Sequence, residues 1–190
     1  MKRATYDDVL NAPENKVAEI LDGELFLSPR PAPRHSVAAS ALGMALGNPF
    51  HQGAGGPGGW WILDEPELHF GEQVLVPDLA GWRRERMPAI PDEAFFSLAP
   101  DWVCEVLSPS TERIDRGRKL RIYAEAGVPH VWLVKPTDRT LEVLLLRDGA
   151  WSIAEVWEDS ALVRVPPFEA IELELGRLWV DFPAPPTEAR

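Results

Sequence analysis

The strongest constraint on this chain is a carboxylate where apolar side chains belong. Glu105 sits within Trp102-Val103-Cys104-Glu105-Val106-Leu107, a run short and apolar enough to be a strand in the core of a sheet. Glutamate is almost never fully buried unless it is paired or binds a metal. On a strand, Val103, Glu105 and Leu107 share one face, while Trp102, Cys104 and Val106 share the other. Whatever fold forms must bring a partner to that acid.

The flanking sequence supplies strands and helices in mixed order. Thr5 caps a short helix expected over 5–10, with acids in its first turn. Asp22-Gly23 between apolar stretches predicts a hairpin within 17–27. Pro29, Pro31 and Pro33 are expected to prevent regular structure. Helical spacing of apolar residues predicts a helix from about 34 to 46, ended by Asn48-Pro49. The glycine-rich stretch 53–59 reads as a mobile loop. A strand pair is expected over 60–70 and 73–82, turning at Gly71-Glu72, and then a connection with one helical turn at 92–97.

Beyond the Glu105 strand, Ser110 or Thr111 can cap a helix running to about Ala126, with Gly127 as its left-handed stop. A further core strand is expected over 130–134. Strand, helix, strand with short connections is a βαβ unit, so its two strands should be parallel. Antiparallel strands are expected over 141–180, and the proline-rich 181–190 should fray. The pattern reads as one α/β (α+β) domain over 1–180, a central mixed sheet flanked by helices.

Composition narrows the function mainly by exclusion. A length of 190 residues suffices for a substantial core. No stretch approaches the roughly 20 apolar residues that span a bilayer, so no membrane role is expected. The N-terminus turns acidic before any hydrophobic stretch, unlike a secretory signal, and a cytoplasmic location is expected. One cysteine excludes an internal disulfide and a multi-cysteine zinc site. The net charge of −11 argues against a general nucleic-acid coat but leaves room for a local basic groove.

The chemistry-bearing pattern is acid, acid, lysine. Asp78 ends the apolar run Val74-Leu75-Val76-Pro77-Asp78, Glu105 follows on its own strand, and Lys119 lies in the next helical segment. Two carboxylates on adjacent strands can hold a hard divalent cation such as Mg2+ or Mn2+. Such a cation polarises a phosphoryl oxygen and activates a water, and a nearby lysine can orient that water or offset charge. Asp115 is four residues before Lys119 and Tyr123 four after, so both lie along its helix face; Asp115 is expected to pair with the lysine and Tyr123 to orient it.

These residues carry a resemblance. Pro77-Asp78, Glu105 and a lysine look like the PD-(D/E)XK nuclease superfamily, although the usual lysine position, two residues after the second acid, is Leu107 here. The longer string Glu105-Val106-Leu107-Ser108-Pro109-Ser110-Thr111, Asp115-Arg116, Lys119, Tyr123, Gly127-Val128 and Trp132-Leu133-Val134 resembles the Uma-type family of restriction-endonuclease-like proteins. The segment 19–25 and His35 match its pattern, while His130 and Lys135 depart from it. The resemblance implies a restriction-endonuclease-like fold and DNA as substrate. It also implies metal binding by Asp78 and Glu105 and a catalytic lysine moved to the following helix, at Lys119.

Other candidates have two readings each. Glu19 is either a further acid of the site or a solvated strand residue. His35 is either a helix-cap residue or a substrate contact. Glu67 and His69 either reach the cleft or do not, and Glu24 reads as a surface charge. Cys104 reads as a small core residue. The basic stretch Arg113, Arg116, Arg118, Lys119, Arg121 is either a solvated face or a phosphate-contacting one. For the whole chain, the alternative to a metal-dependent endodeoxyribonuclease is a non-catalytic interaction domain. The apolar tail strands offer either kind of protein a homodimer surface.

Overall fold

A computed structural model of the chain describes residues 3–181. In chain order it contains α1 (Tyr6–Leu10), β1 (Lys16–Leu21), β2 (Glu24–Pro29), α2 (Pro33–Leu46), a π-helical stretch Gly47–Gln52, β3 (Trp60–Asp64), β4 (Leu68–Phe70), β5 (Gln73–Leu75) and β6 (Leu79–Arg83). Then come β7 (Trp102–Val106), α3 (Glu112–Ile114), a π-helical stretch Asp115–Lys119, α4 (Leu120–Glu125), β8 (His130–Lys135), β9 (Thr140–Arg147), β10 (Ala150–Glu158), β11 (Leu162–Val163), β12 (Leu173–Glu174) and a 3-10 turn Leu175–Leu178. The expected frayed tail lies outside the described residues apart from Asp181.

The scaffold is a six-stranded mixed sheet in the order β10-β9-β8-β7-β6-β3. A four-stranded sheet, β2-β1-β5-β4, stands beside it. Among the strands of the described residues only β7 and β8 run parallel, joined by the α3–α4 helical run as the βαβ reading expects. Alternation along β7 divides the core in two. Trp102, Cys104 and Val106 join α2, β3 and the C-terminal segment through Phe168 and Leu178. Val103 and Leu107 join Leu21, Ile122 and Tyr123 on the other face. Glu105 belongs to that second face and is buried there among apolar groups.

The hairpin forms at Asp22 and Gly23, with φ of 58° and 78°, the left-handed pair that suits a two-residue turn. Gly127 closes α4 in the left-handed conformation at φ 78°.

Several expectations need correction. The strand pair over 60–70 and 73–82 is broken in both arms. Its outer parts, β3 and β6, pair in the large sheet, and its inner parts, β4 and β5, pair in the small one. Pro66 and Pro77 lie at the two breaks, where a residue without an N–H cannot continue a ladder. No helical turn forms at 92–97; Phe96 instead bridges to Leu68 in extended form. Of the three prolines, Pro29 ends β2 and Pro33 opens α2, where a missing N–H costs nothing.

Asn48-Pro49 does not end its helix either. The chain widens into π-helical turns through Gln52, which accommodates a proline that cannot make the normal bond. The glycine-rich stretch is tied down rather than loose: Ala54 N–H donates to the Asn48 carbonyl at 2.8 Å, and Gly58 N–H to the Pro49 carbonyl at 2.8 Å.

Candidate active site

The break at Pro77 builds the site. Leaving β5, Val76 has no strand partner for its N–H, which donates to the Glu19 carboxylate at 2.9 Å. Asp78 then stands just before β6. The β6–β7 register pairs Leu79 with Cys104, so one further step sets Asp78 opposite Glu105 on the same face. Asp78 Oδ2 accepts the Val106 N–H at 2.6 Å and so caps the end of the ladder.

The partner that Glu105 requires comes from the helical run. Lys119 Nζ is 2.7 Å from Glu105 Oε1, 3.1 Å from Glu19 Oε1 and 3.7 Å from Asp115 Oδ1. Tyr123 Oη donates to Glu105 Oε1 at 2.5 Å. Lys119 ends the π-helical stretch, a widened turn of a kind frequent at functional sites. His35, in the first turn of α2, reaches the cleft from the opposite face of the sheet. Its Nε2 is 3.1 Å from Asp78 Oδ1, and its Nδ1 is buried without a hydrogen-bond partner among the described residues.

Electrostatics follow from burial. Desolvation pushes the Glu105 carboxyl well above its ordinary range, against the pull of Lys119. Burial draws the Lys119 ammonium down, but Glu105 and Glu19 outweigh it and hold the amine well above its usual value. With 2.7 Å between the two groups, the charged pair is the form the geometry favours. Burial likewise raises Asp115, and burial with the nearby Glu105 charge raises the Tyr123 phenol.

The cleft, about 270 Å³, is lined by Glu19, His35, Asp78, Glu105, Asp115 and Lys119 among others. With Glu65 and Arg30 also on its wall, five acids face one lysine, one arginine and one histidine, so the lining carries surplus negative charge of the kind that suits a divalent cation. Among the described residues no three His, Cys, Asp or Glu side chains form a ready-made cage.

Every residue of the expected constellation is therefore brought together: Asp78, Glu105, Lys119, Glu19, Tyr123 and His35. Tyr123 bonds the carboxylate rather than the lysine expected of it. Asp115 belongs to the cleft as well as to Lys119; its spacing from the lysine was the signal for the pair, but its burial was not readable. Leu107, at the usual lysine position, is packed in the core.

Glu67 and His69 do not reach the cleft. They bond each other at 2.8 Å, and Tyr6 Oη donates to Glu67 at 2.7 Å. Glu24 is a surface charge paired with Arg118, and Cys104 is core. On the basic stretch, Arg116 pairs with Glu112 and Glu142, and Arg121 with Asp22 and Glu125. No helix among the described residues is long and apolar enough to cross a membrane.

Comparison with known proteins agrees with this architecture. A crystal structure described as "a putative nuclease belonging to DUF820", from Anabaena variabilis ATCC 29413, is 24% identical. The match covers 92% of this chain and 97% of that one, with a TM-score of 0.70, a likeness of fold. No curated protein sequence matches. The model of the family Uma2, described as "Putative restriction endonuclease", matches residues 4–176. With that span matched and a restriction-endonuclease-like fold around it, the chain belongs to the Uma2 family.

Proposed function

We propose that the protein is a Mg2+- or Mn2+-dependent endodeoxyribonuclease with Asp78 and Glu105 as metal ligands and Lys119 as its catalytic cation. The observation that carries this reading is the meeting of Asp78, Glu105 and Lys119 in one cleft, the lysine 2.7 Å from Glu105. The description of the family as a restriction endonuclease supports DNA as the substrate.

A bound divalent cation would supply Lewis-acid activation of a phosphoryl oxygen and of a water. The chain supplies position and charge. Asp78 and Glu105 project from adjacent strands, and the Val106 carbonyl can assist them. Tyr123 steadies Glu105 through one oxygen, and His35 does the same for Asp78. Lys119, held by Glu105, Glu19 and Asp115, orients the attacking water and offsets charge on the phosphoryl oxygens. In the in-line displacement, the water oxygen would bond phosphorus and give up a proton to solvent as the bond to the leaving oxygen breaks, and that oxygen would take up a proton to leave as the alcohol.

The test is nicking of supercoiled plasmid at low salt with Mg2+ or Mn2+, beside Asp78→Ala. Metal-dependent nicking that the variant lacks supports the reading; a folded wild type that cuts neither the plasmid nor a single-stranded oligonucleotide with either metal contradicts it. The second reading, a dimeric interaction domain that keeps the fold, draws on exposed Ile153 and Val156 on the edge strand β10. It expects no cleavage under any of these conditions.

A further inference from the structure

We propose that the DNA strand to be cut is single-stranded, and that it leaves the cleft along a second groove between β2 and the helical run, stacking a base on the Arg118 guanidinium that covers Phe26 and placing a phosphate at Arg113. This rests on the nuclease reading above and adds its substrate class.

The first argument is access. Glu105 and Lys119 are each 3% exposed. The cleft rim is formed by 29–32 on one side and 108–111 on the other. Its volume of about 270 Å³ is at the small end for ligand sites. Duplex DNA is stiff over roughly 150 base pairs, and bending even a short site costs several kcal/mol. A single strand has no such stiffness and can turn a phosphodiester into a narrow recess.

The second argument is continuity. β2 is the outer strand of the small sheet, so one of its edges is unpaired. Between that strand and the helical run lies a groove of about 580 Å³ lined by Phe26, Arg113, Gly117 and Arg118. Ser110 lines both this groove and the catalytic cleft. Phe26 is the cross-strand partner of Glu19, so its ring lies on the same face as a residue of the site.

The third argument is chemistry. The Arg118 guanidinium lies over the Phe26 ring, 5.0 Å from its centroid, and Phe26 packs against the core. A guanidinium plane held flat by an aromatic ring is a surface on which an unpaired base can stack without its sequence being read. Arg113 is exposed, and no carboxylate pairs with it among the described residues. On a chain of net charge −11, an unpaired arginine in a groove continuous with the cleft is a phosphate contact in waiting. Gly117 leaves open space, with nothing within 4 Å of where a Cβ would stand. Glu24 pairs with Arg118 at 2.6 Å, but both are well exposed, and such a pair exchanges readily for a phosphate.

The experiment uses three labelled oligonucleotides of one sequence: single-stranded, fully paired, and paired with an unpaired arm. Cleavage is followed with Mn2+, and binding by fluorescence anisotropy at low salt, for wild type, Phe26→Ala and Arg113→Glu. The single strand and the unpaired arm should be cut at least about tenfold faster than the duplex. Each variant should weaken single-strand binding about fivefold or more. Arg113→Glu keeps the test decisive if Phe26→Ala misfolds. Duplex cut as fast as single strand, or variant binding equal to wild type, overturns the inference and leaves the nuclease reading standing. Failure to cut any substrate contradicts the nuclease reading, while loss of binding in the variants still supports the track.

Discussion

Lys119 and Glu105 form a buried ion pair, 2.7 Å between Nζ and Oε1, with each side chain 3% exposed. One sits in a strand, the other on the helix that follows it. Desolvating two such ions costs several kcal/mol each, and their attraction returns that only with good geometry and further hydrogen bonds. Glu19 and Tyr123 supply those bonds, and Asp115 adds its charge 3.7 Å from the ammonium.

Lys119→Met removes the one ammonium among three buried acids. We expect a loss of about 3–5 kcal/mol in urea unfolding, because charge is left buried without a partner. In the variant Glu105 and Asp115, already raised by burial, lose the opposing pull of the ammonium and are pushed further above their unfolded values. Stability tied to such groups is present at low pH and lost as pH rises through the folded-state values. The urea midpoint of Lys119→Met should therefore be higher at pH 5 than at pH 8; a pH-independent midpoint would contradict the burial argument.

Tyr123→Phe keeps the ring and deletes only the hydrogen bond to Glu105. The folded-state cost should be about 1–2 kcal/mol. Cleavage should fall roughly tenfold, since Glu105 is freed to change rotamer. Unchanged turnover would mean that Tyr123 serves packing alone.

His130 predicts acid sensitivity away from the site. Burial depresses its imidazole pKa below 6.5, opposed by the hydrogen bond between Nδ1 and the Asp101 carbonyl and helped by the charge of Arg83. The unfolded chain then takes up a proton that the native state refuses, so stability present above about pH 6.5 is lost as pH falls through the folded value. His130→Asn should flatten that part of the profile in urea midpoints between pH 5 and 7.5. An unaltered slope would assign the loss to other groups.

Gly56→Ala tests the ordered glycine loop. A Cβ there would stand 2.4 Å from Pro49 Cβ and 2.8 Å from its carbonyl oxygen. The π-helical backbone must shift to admit it, and we expect a loss of about 1–3 kcal/mol by thermal unfolding. A neutral result would show the loop to be loosely attached.

The chemistry was more legible in the sequence than the architecture around it. Glu105 announced itself because alternation on an apolar strand leaves an acid no solvent to reach. Lys119 could be placed because a helix that follows a strand packs back across it. Glu19, by contrast, was ambiguous: its burial depends on Val76, whose N–H is freed where Pro77 interrupts the ladder. Pro66 and Pro77 lie inside the one expected hairpin, and together they divide it between two sheets. Tyr123 shared the lysine's helix face, but its choice of Glu105 as acceptor depends on how deeply the strand and helix pack. The basic stretch looked uniform in sequence, whereas the fold buries Lys119, pairs Arg116, Arg118 and Arg121, and leaves Arg113 without a carboxylate among the described residues.

The central claim is that Asp78 and Glu105 hold a divalent cation, and calorimetric titration of Mn2+ tests it most directly. The wild-type protein should bind Mn2+ at a site that is lost in Asp78→Ala and in Glu105→Gln, with both variants still folded. Binding by the variants equal to wild type, or no binding by folded wild type, would contradict the account.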